Sequence, residues 1–286
     1  MALTILAFAP GIFWLWYFYQ KDKYRPEPLR LVIRTFILGM AVVIPVALVE
    51  SIFEVIYPSL ESKSIPALLA LSFLIVGPVE EGAKFLAVRL TVYRSPYFDE
   101  EVDGMVYSTA CALGFASLEN LLYLIRFGWQ VIMVRATLST LAHVVMSGMW
   151  GYALGRAKLH PERQTILVSQ GLIAAMVIHG LFDFLLLTQS AFALLIIPMV
   201  VVLVLQLQRR MKLAAASSAQ LGKVLTTCPQ CQNGVRYDAN FCTQCGTRLT
   251  GREAPVKLRC SACKGEVRPQ DAHCTSCGTK LSKMVS

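Results

Sequence analysis

The residues that could do chemistry stand inside otherwise apolar runs. Glu80, Glu81 and Lys84 sit in VGPVEEGAKF, Glu119 and Asn120 in LGFASLENLLY, His143 in TLAHVVMSGMWGY, and His179 and Asp183 in VIHGLFDFLL. Glu80 and Lys84 are four apart and share a helical face, as do His179 and Asp183, so Asp183 could orient the imidazole or join it on a metal. Glu81 points about 100° away from Glu80, so the two carboxylates need not share a role. Imidazoles and carboxylates around buried water suggest hydrolysis. Two histidines and a glutamate make a zinc site with an open position. A further glutamate would be the general base, and Lys84 could hold a developing oxyanion or fix a glutamate. The sequence contains no H-E-x-x-H, G-x-S-x-G, Walker or Rossmann pattern. Ser147 and Cys111 read as packing residues rather than nucleophiles.

These groups need elements to hold them, and composition says which. The 286 residues are 55% hydrophobic and 16% charged, with mean hydropathy +0.54, against about 45–50% and about 25% in soluble domains. Most of the chain belongs in a bilayer. Seven stretches are long enough to span it, roughly 2–20, 31–56, 66–90, 104–126, 131–155, 165–187 and 190–207. The first carries Trp14, Trp16, Tyr17, Phe18 and Tyr19, an interfacial aromatic belt rather than a cleavable signal. Lys21, Lys23, Arg25, Arg30, Arg34, Arg89, Arg94, Arg156, Lys158, Arg163, Arg209, Arg210 and Lys212 fall on one side, against Lys63, Arg126 and Arg135 on the other. The positive-inside rule then puts the N-terminus outside and the C-terminal tail in the cytoplasm.

With that orientation, Glu80 lies ten residues from the inner end of its helix at Leu90, and Glu119 fifteen from Gly104. His143 lies twelve from Gly155, and His179 fourteen from Thr165. At about 1.5 Å per residue these are depths of about 15–23 Å, near one level on four helices. A buried charge is costly in a membrane and usually faces a bundle interior, so the convergence points to a functional polar centre. Gly77 and Pro78 would disturb their helix and admit water or substrate backbone. Glu50 and Glu54 line the outer mouth or reach the interface.

At these residues the body resembles the PrsW family of intramembrane proteases, related to the CAAX prenyl endopeptidases. The family's E-E-x-x-K stands as Glu80-Glu81-Gly82-Ala83-Lys84, its F-x-x-x-E-N as Phe115 to Glu119-Asn120, its following histidine as His143, and its H-x-x-x-D as His179 to Asp183. The loop Asp22–Arg30 and the stretch Asp103–Tyr107 are also similar to the family, and the likeness covers about residues 10–205. The resemblance implies cleavage of a peptide bond in or beside the membrane, in membrane-tethered proteins such as anti-sigma factors or other single-span chains. It implies that Glu80 or Glu81 activates water, that Glu119, His143 and His179 hold a metal or the transition state, and that Asp183 orients His179. Metalloprotease and metal-free glutamate protease both stay open.

The tail is a different material. Eight of the nine cysteines follow residue 227, and from Leu213 onward ten Lys/Arg face four Asp/Glu. Cys228-x2-Cys231-x10-Cys242-x2-Cys245 is repeated 32 residues on by Cys260-x2-Cys263-x10-Cys274-x2-Cys277. Each pair of C-x2-C knuckles closes a four-thiolate Zn²⁺ site, with Gly246 and Gly278 suited to the turn after the last ligands. The tail resembles a tandem zinc ribbon holding two structural Zn²⁺. Disulfides are disfavoured on the reducing side. His273 is a bystander, and with only Tyr237 and Phe241 as aromatics, a protein partner or anionic lipid fits the basic surface better than nucleic acid.

The expectation is therefore an all-α polytopic membrane protein of about seven spans with a small, β-rich cytoplasmic double zinc ribbon. Its parts are a protease domain over 1–212, a linker over 213–227, ribbons over 228–249 and 260–281, and a linker over 250–259. The expected function is an intramembrane endopeptidase whose ribbons recruit or sense a partner. The rivals are a non-catalytic adaptor acting through its ribbons and an ion transporter, the latter disfavoured by the absence of an internal repeat among the helices.

Overall fold

The computed structural model describes residues 2–22, 26–57, 64–221, 225–232, 234–236, 241–242, 244–249, 258–259 and 266–267. The chain forms two compact units, Met1–Lys223 and Val224–Ser286. The first is helical: α1 (Ala2–Tyr19), α2 (Leu29–Ile56), α3 (Ile65–Ala70), α4 (Gly77–Thr91), α5 (Glu101–Phe127), α6 (Trp129–Arg135), α7 (Leu138–Leu159), α8 (Gln164–Leu187) and α9 (Ile196–Leu221).

Five segments among the described residues are long and apolar enough to cross a membrane: Leu29–Phe53, Ile65–Thr91, Glu101–Phe127, Pro161–Leu187 and Ala191–Ala216. Thr4–Tyr19 is a shorter apolar helix. α7 is as long as a span but falls outside that set because it is less apolar. Its inner faces carry Ser139, Thr140, His143, Ser147, Gly148, Gly151 and Gly155, all buried among neighbouring helices, and small or polar residues are what close helix packing in a bilayer uses. The outer helices show the opposite pattern. Ile37, Ile44, Leu48 and Ile52 of α2, Ile166 and Ile173 of α8, and Ile197, Val201 and Leu205 of α9 are exposed. So much exposed aliphatic surface suits lipid rather than water.

The centre of the bundle is α5, packed along α7, α2 and α1. Gly104 makes the α5–α7 approach feasible: a Cβ there would run into the Gly151 carbonyl. α5 starts with a capping box, Glu100 and Asp103 each accepting from the other's backbone N–H.

Two stretches depart from the expected spans. Residues 131–155 are not one helix: α6 ends at Arg135, and α7 begins at Leu138 after a turn. Residues 66–90 are interrupted by a π-helical turn, Leu71–Val76, immediately before Gly77-Pro78. Proline removes a backbone donor and crowds the preceding turn, and a π turn relieves that misfit. At the C-terminal end α9 runs on to Leu221, so the first part of the stretch expected as a linker is helical.

In the second unit, β1 (Leu225–Thr227) pairs antiparallel with β2 (Gly234–Arg236), and β3 (Leu258–Arg259) with β4 (Glu266–Val267). Thr226 faces Val235 and Thr227 faces Gly234; Leu258 faces Val267 and Arg259 faces Glu266. The second register is the first shifted by the 32-residue cysteine offset.

Candidate active site

α4, α5, α7 and α8 deliver their polar groups to one buried cluster. Lys84 is fully buried, and its ammonium meets Glu80 Oε2 at 2.9 Å, Glu81 Oε1 at 2.9 Å and His143 Nδ1 at 3.1 Å. The Phe115 ring lies beneath it, 4.0 Å away. A charged ammonium has three N–H groups and accepts nothing. Contact with all three partners makes His143 Nδ1 the acceptor, so Nε2 carries the proton and donates to Glu119 Oε2 at 2.9 Å.

Glu81 has no exposed surface. Oε1 accepts from Lys84 and from His179 Nδ1 at 3.0 Å; Oε2 accepts from Ser147 Oγ and Trp150 Nε1, each at 2.8 Å. Four donors saturate its lone pairs. Glu80 is differently placed. Its Oε2, besides the Lys84 contact, stands 3.6 Å from His179 Nε2 and 3.8 Å from His143 Nδ1. The two imidazole centroids are 5.3 Å apart. Asp183 Oδ2 lies 3.4 Å from His179 Nε2 and is buried without a hydrogen-bond partner among the described residues.

Glu119 turns its other oxygen to Arg135, 2.9 Å away, and the Arg135 guanidinium stacks on Tyr123 at 3.6 Å. Arg135 Nε is buried with no acceptor among the described residues. Asn120 Nδ2 donates to Thr140 Oγ1 at 3.1 Å, tying α5 to α7. All eight residues expected in the catalytic set thus come from the same buried region. Sequence reasoning missed Arg135, which reads as a flanking loop charge, and Trp150, which reads as an aromatic in an apolar run. The signal available for Arg135 was that it is a lone basic residue in an apolar stretch. Cys111 is buried against the Lys84 backbone carbonyl, 3.8 Å away, and offers nothing to the cluster. Glu50 Oε1 is buried without a partner among the described residues, and the Glu54 side chain lies outside them.

The donors of Glu80, His143 and His179 lie within 4.8 Å of one another. Glu119, expected with the two histidines, stands outside this trio and accepts from His143 Nε2. Two imidazoles and a carboxylate fit a zinc-type ion, His179 has its second nitrogen fixed by a carboxylate as metal-binding histidines do, and the orphaned Asp183 oxygen adds an unmatched acceptor. The donor chemistry therefore fits a metal, with the Lys84 ammonium supplying cationic charge at the same place.

In the tail, the sulfurs of Cys228, Cys231, Cys242 and Cys245 lie within 4.8 Å of one another, and none of the four is in a disulfide. Cys228 and Cys245 are 3.7 Å apart, Cys231 and Cys242 3.5 Å. A disulfide would be about 2.05 Å, whereas thiolates about 2.3 Å from a tetrahedral zinc stand about 3.8 Å apart. Gly246 has φ 74° and its N–H bonds back to the Cys242 carbonyl at 2.8 Å. The Thr247 hydroxyl beside Cys245 holds that thiol down to about 6, toward the thiolate that metals need. Cys260, Cys263, Cys274 and Cys277, with Gly278, Tyr237 and His273, lie outside the described residues.

These features are those of a polytopic membrane hydrolase with a zinc-binding tail, and the comparisons agree. Residues 27–207 match the model of the PrsW family intramembrane metalloproteases, and residues 228–282 that of the double zinc ribbon. Protease PrsW of Bacillus subtilis is 34% identical over 203 residues, 71% of this chain and 90% of the relative. Protease PrsW of Geobacillus kaustophilus is 35% identical over 182 residues, 64% of this chain and 78% of the relative, and that of Clostridioides difficile is 30% identical over 207 residues, 70% and 84% respectively. No solved structure matches. The chain belongs to the PrsW family: it is an integral membrane protein and an intramembrane protease with a zinc-ribbon tail.

Proposed function

We propose that the chain hydrolyses peptide bonds of membrane-tethered proteins at the α4–α5–α7–α8 centre, with Glu80 as general base. The observation that carries this is the contrast between the paired carboxylates. Glu81 is saturated by four donors, while Glu80 faces both histidines at the edge of the cluster. Glu80 takes a proton from water as the oxygen adds to the scissile carbonyl. The same proton passes to the amide nitrogen as the C–N bond breaks, leaving a carboxylic acid and an amine, which then exchange a proton to become carboxylate and ammonium. Lys84 holds the carboxylates apart and fixes the tautomer of His143. Arg135, with an N–H free among the described residues, is the donor for the developing oxyanion. Glu119 holds Arg135 and His143, and Asp183 orients His179.

His143 and His179 would hold the family's metal ion, His143 through Nδ1 in place of its Lys84 contact, with the Glu80 carboxylate beside them kept as the base. When bound, such an ion polarises the scissile carbonyl as a Lewis acid. Metal content of protein truncated after Lys212 tests this: about one ion per chain, lost in His179→Ala, is expected, and a metal-free, active enzyme would leave a glutamate protease.

Seven spans follow from the apolar stretches, and the N-terminus outside with the tail in the cytoplasm from the charge bias. The two ribbons, each with one structural Zn²⁺, recruit a cytoplasmic protein or dock on anionic lipid. Cleavage of single-span reporters by Glu80→Gln and Glu81→Gln variants tests the assignment. Glu80→Gln should lose turnover while folding normally, and full turnover by Glu80→Gln would remove it.

A further inference from the structure

The end of α1 meets the second half of α9 at a site that the proteolytic chemistry does not use. Tyr17 ties the two helices, its hydroxyl accepting from Gln208 Nε2 at 3.2 Å. Its ring also carries Lys21, whose ammonium stands 4.3 Å from the ring centroid. Beside this tie lies a cavity of about 260 Å³. Phe18, Met211, Ala215 and Ala216 give it apolar walls, and Lys21, Lys212 and Gln208 give it a polar side. Phe18 and Met211 are buried members of the main core, so the wall they form is firmly held. Lys21 is half-buried and Lys212 exposed.

The position says what could enter. Trp14, Trp16, Tyr17 and Tyr19 put this end of α1 at the level of the lipid headgroups. Trp16 on α1 and Val202 and Leu205 on α9 are exposed, as suits helices that face lipid. Lysines at the end of a span commonly reach outward for headgroups one at a time. These two come from opposite ends of the helical unit and border one cavity. The lining is amphipathic, with cations for a phosphate and apolar walls for a chain attached to it. A free anion would leave the walls unmatched, and a zwitterionic headgroup would bring its own cation to two lysines. We infer that this cavity binds one anionic phospholipid, its phosphate between Lys21 and Lys212 and the start of an acyl chain along Phe18 and Met211. The site is distinct from the basic ribbons. Because α1 packs on α5 and α9 on α7, the lipid clamps two outer helices onto the pair that carries Glu119 and His143.

Full-length protein in neutral detergent is mixed with phosphatidylglycerol, phosphatidylcholine or inorganic phosphate. Lipid retained per chain is read by native mass spectrometry, with thermal unfolding alongside. Lipid held by the ribbons is common to all variants, so the difference from wild type is what counts. Wild type should retain about one more phosphatidylglycerol than the double variant Lys21→Gln/Lys212→Gln. Ala215→Phe, which fills the cavity without touching charge, should lose the same lipid. Arg94→Gln/Arg163→Gln, which removes as much charge from the same side of the membrane but not from the cavity, should keep it. Phosphatidylglycerol should raise the unfolding temperature of the wild type more than phosphatidylcholine or phosphate does. Equal retention by wild type and either cavity variant would overturn the inference, and so would equal loss in the arginine pair, the mark of charge without a site. Phosphatidylcholine acting as well as phosphatidylglycerol would reduce the cavity to an apolar gap, and phosphate acting as well would make it a free-anion site; either result overturns the lipid assignment.

Discussion

Trp150 donates its indole N–H to Glu81 Oε2 at 2.8 Å, from one face of α7 to the middle of α4. With Ser147 on the same oxygen and Lys84 and His179 on the other, Glu81 is the tie between three helices. Trp150→Phe keeps the ring packing against Phe85 but leaves that oxygen one donor short. It should cost about 1–3 kcal/mol, read as a lower thermal unfolding temperature in detergent, with cleavage by the folded fraction retained. An unchanged unfolding temperature would show that the tie is slack.

Arg135 is the only cation the structure sets against Glu119 from outside the four-helix cluster, among the described residues. Arg135→Gln leaves a buried carboxylate uncompensated and takes a donor from the centre. It should lower kcat by about 10²-fold, and Arg135→Lys, which keeps the charge but loses the planar fork, should restore part of that. Equal activity of Gln and Lys variants would reduce Arg135 to a packing residue.

Gly104 faces the Gly151 carbonyl where α5 crosses α7. Gly104→Ala forces the two helices apart at the pair that brings Glu119 to His143. It should destabilise by about 1–3 kcal/mol, whereas Gly82→Ala on α4, where among the described residues an added methyl meets only the Met176 side chain at 3.6 Å, should be nearly neutral. Chemical unfolding of the two variants side by side makes the comparison.

Among the described residues, the first ribbon has no core beyond its cysteines, Val235 and Leu249. A module so small should fold on its metal. Cys242→Ser should remove one zinc per chain, measured by elemental analysis, and open the β1–β2 ladder to hydrogen exchange, without altering the helical unit. Retained zinc would contradict the four-thiolate site.

Much of this geometry was legible in the residues because helical periodicity is rigid. Glu80 and Lys84 meet at 2.9 Å and His179 and Asp183 at 3.4 Å, as four-residue spacing implies. Depth along each helix could be counted, and that was enough to bring four helices to one level. The break between α6 and α7 was not legible. It falls at Ala136 and Thr137, with no glycine or proline to mark it, directly after Arg135, which pairs with Glu119. The split between Glu80 and Glu81 was legible only as a difference in direction. Which of them is saturated depends on Ser147 and Trp150, 66 and 69 residues away, and no local pattern encodes that pairing.

The most direct test is the cleavage rate of single-span, anti-sigma-type reporters co-reconstituted in liposomes with wild type, Glu80→Gln or Glu81→Gln protein matched for folded amount. The account predicts that Glu80→Gln loses at least about 10²-fold in kcat with an unfolding temperature close to wild type. It predicts that Glu81→Gln loses stability first, because an amide cannot accept from four donors. Wild-type cleavage by Glu80→Gln, or a stable Glu81→Gln protein with no cleavage, would contradict it.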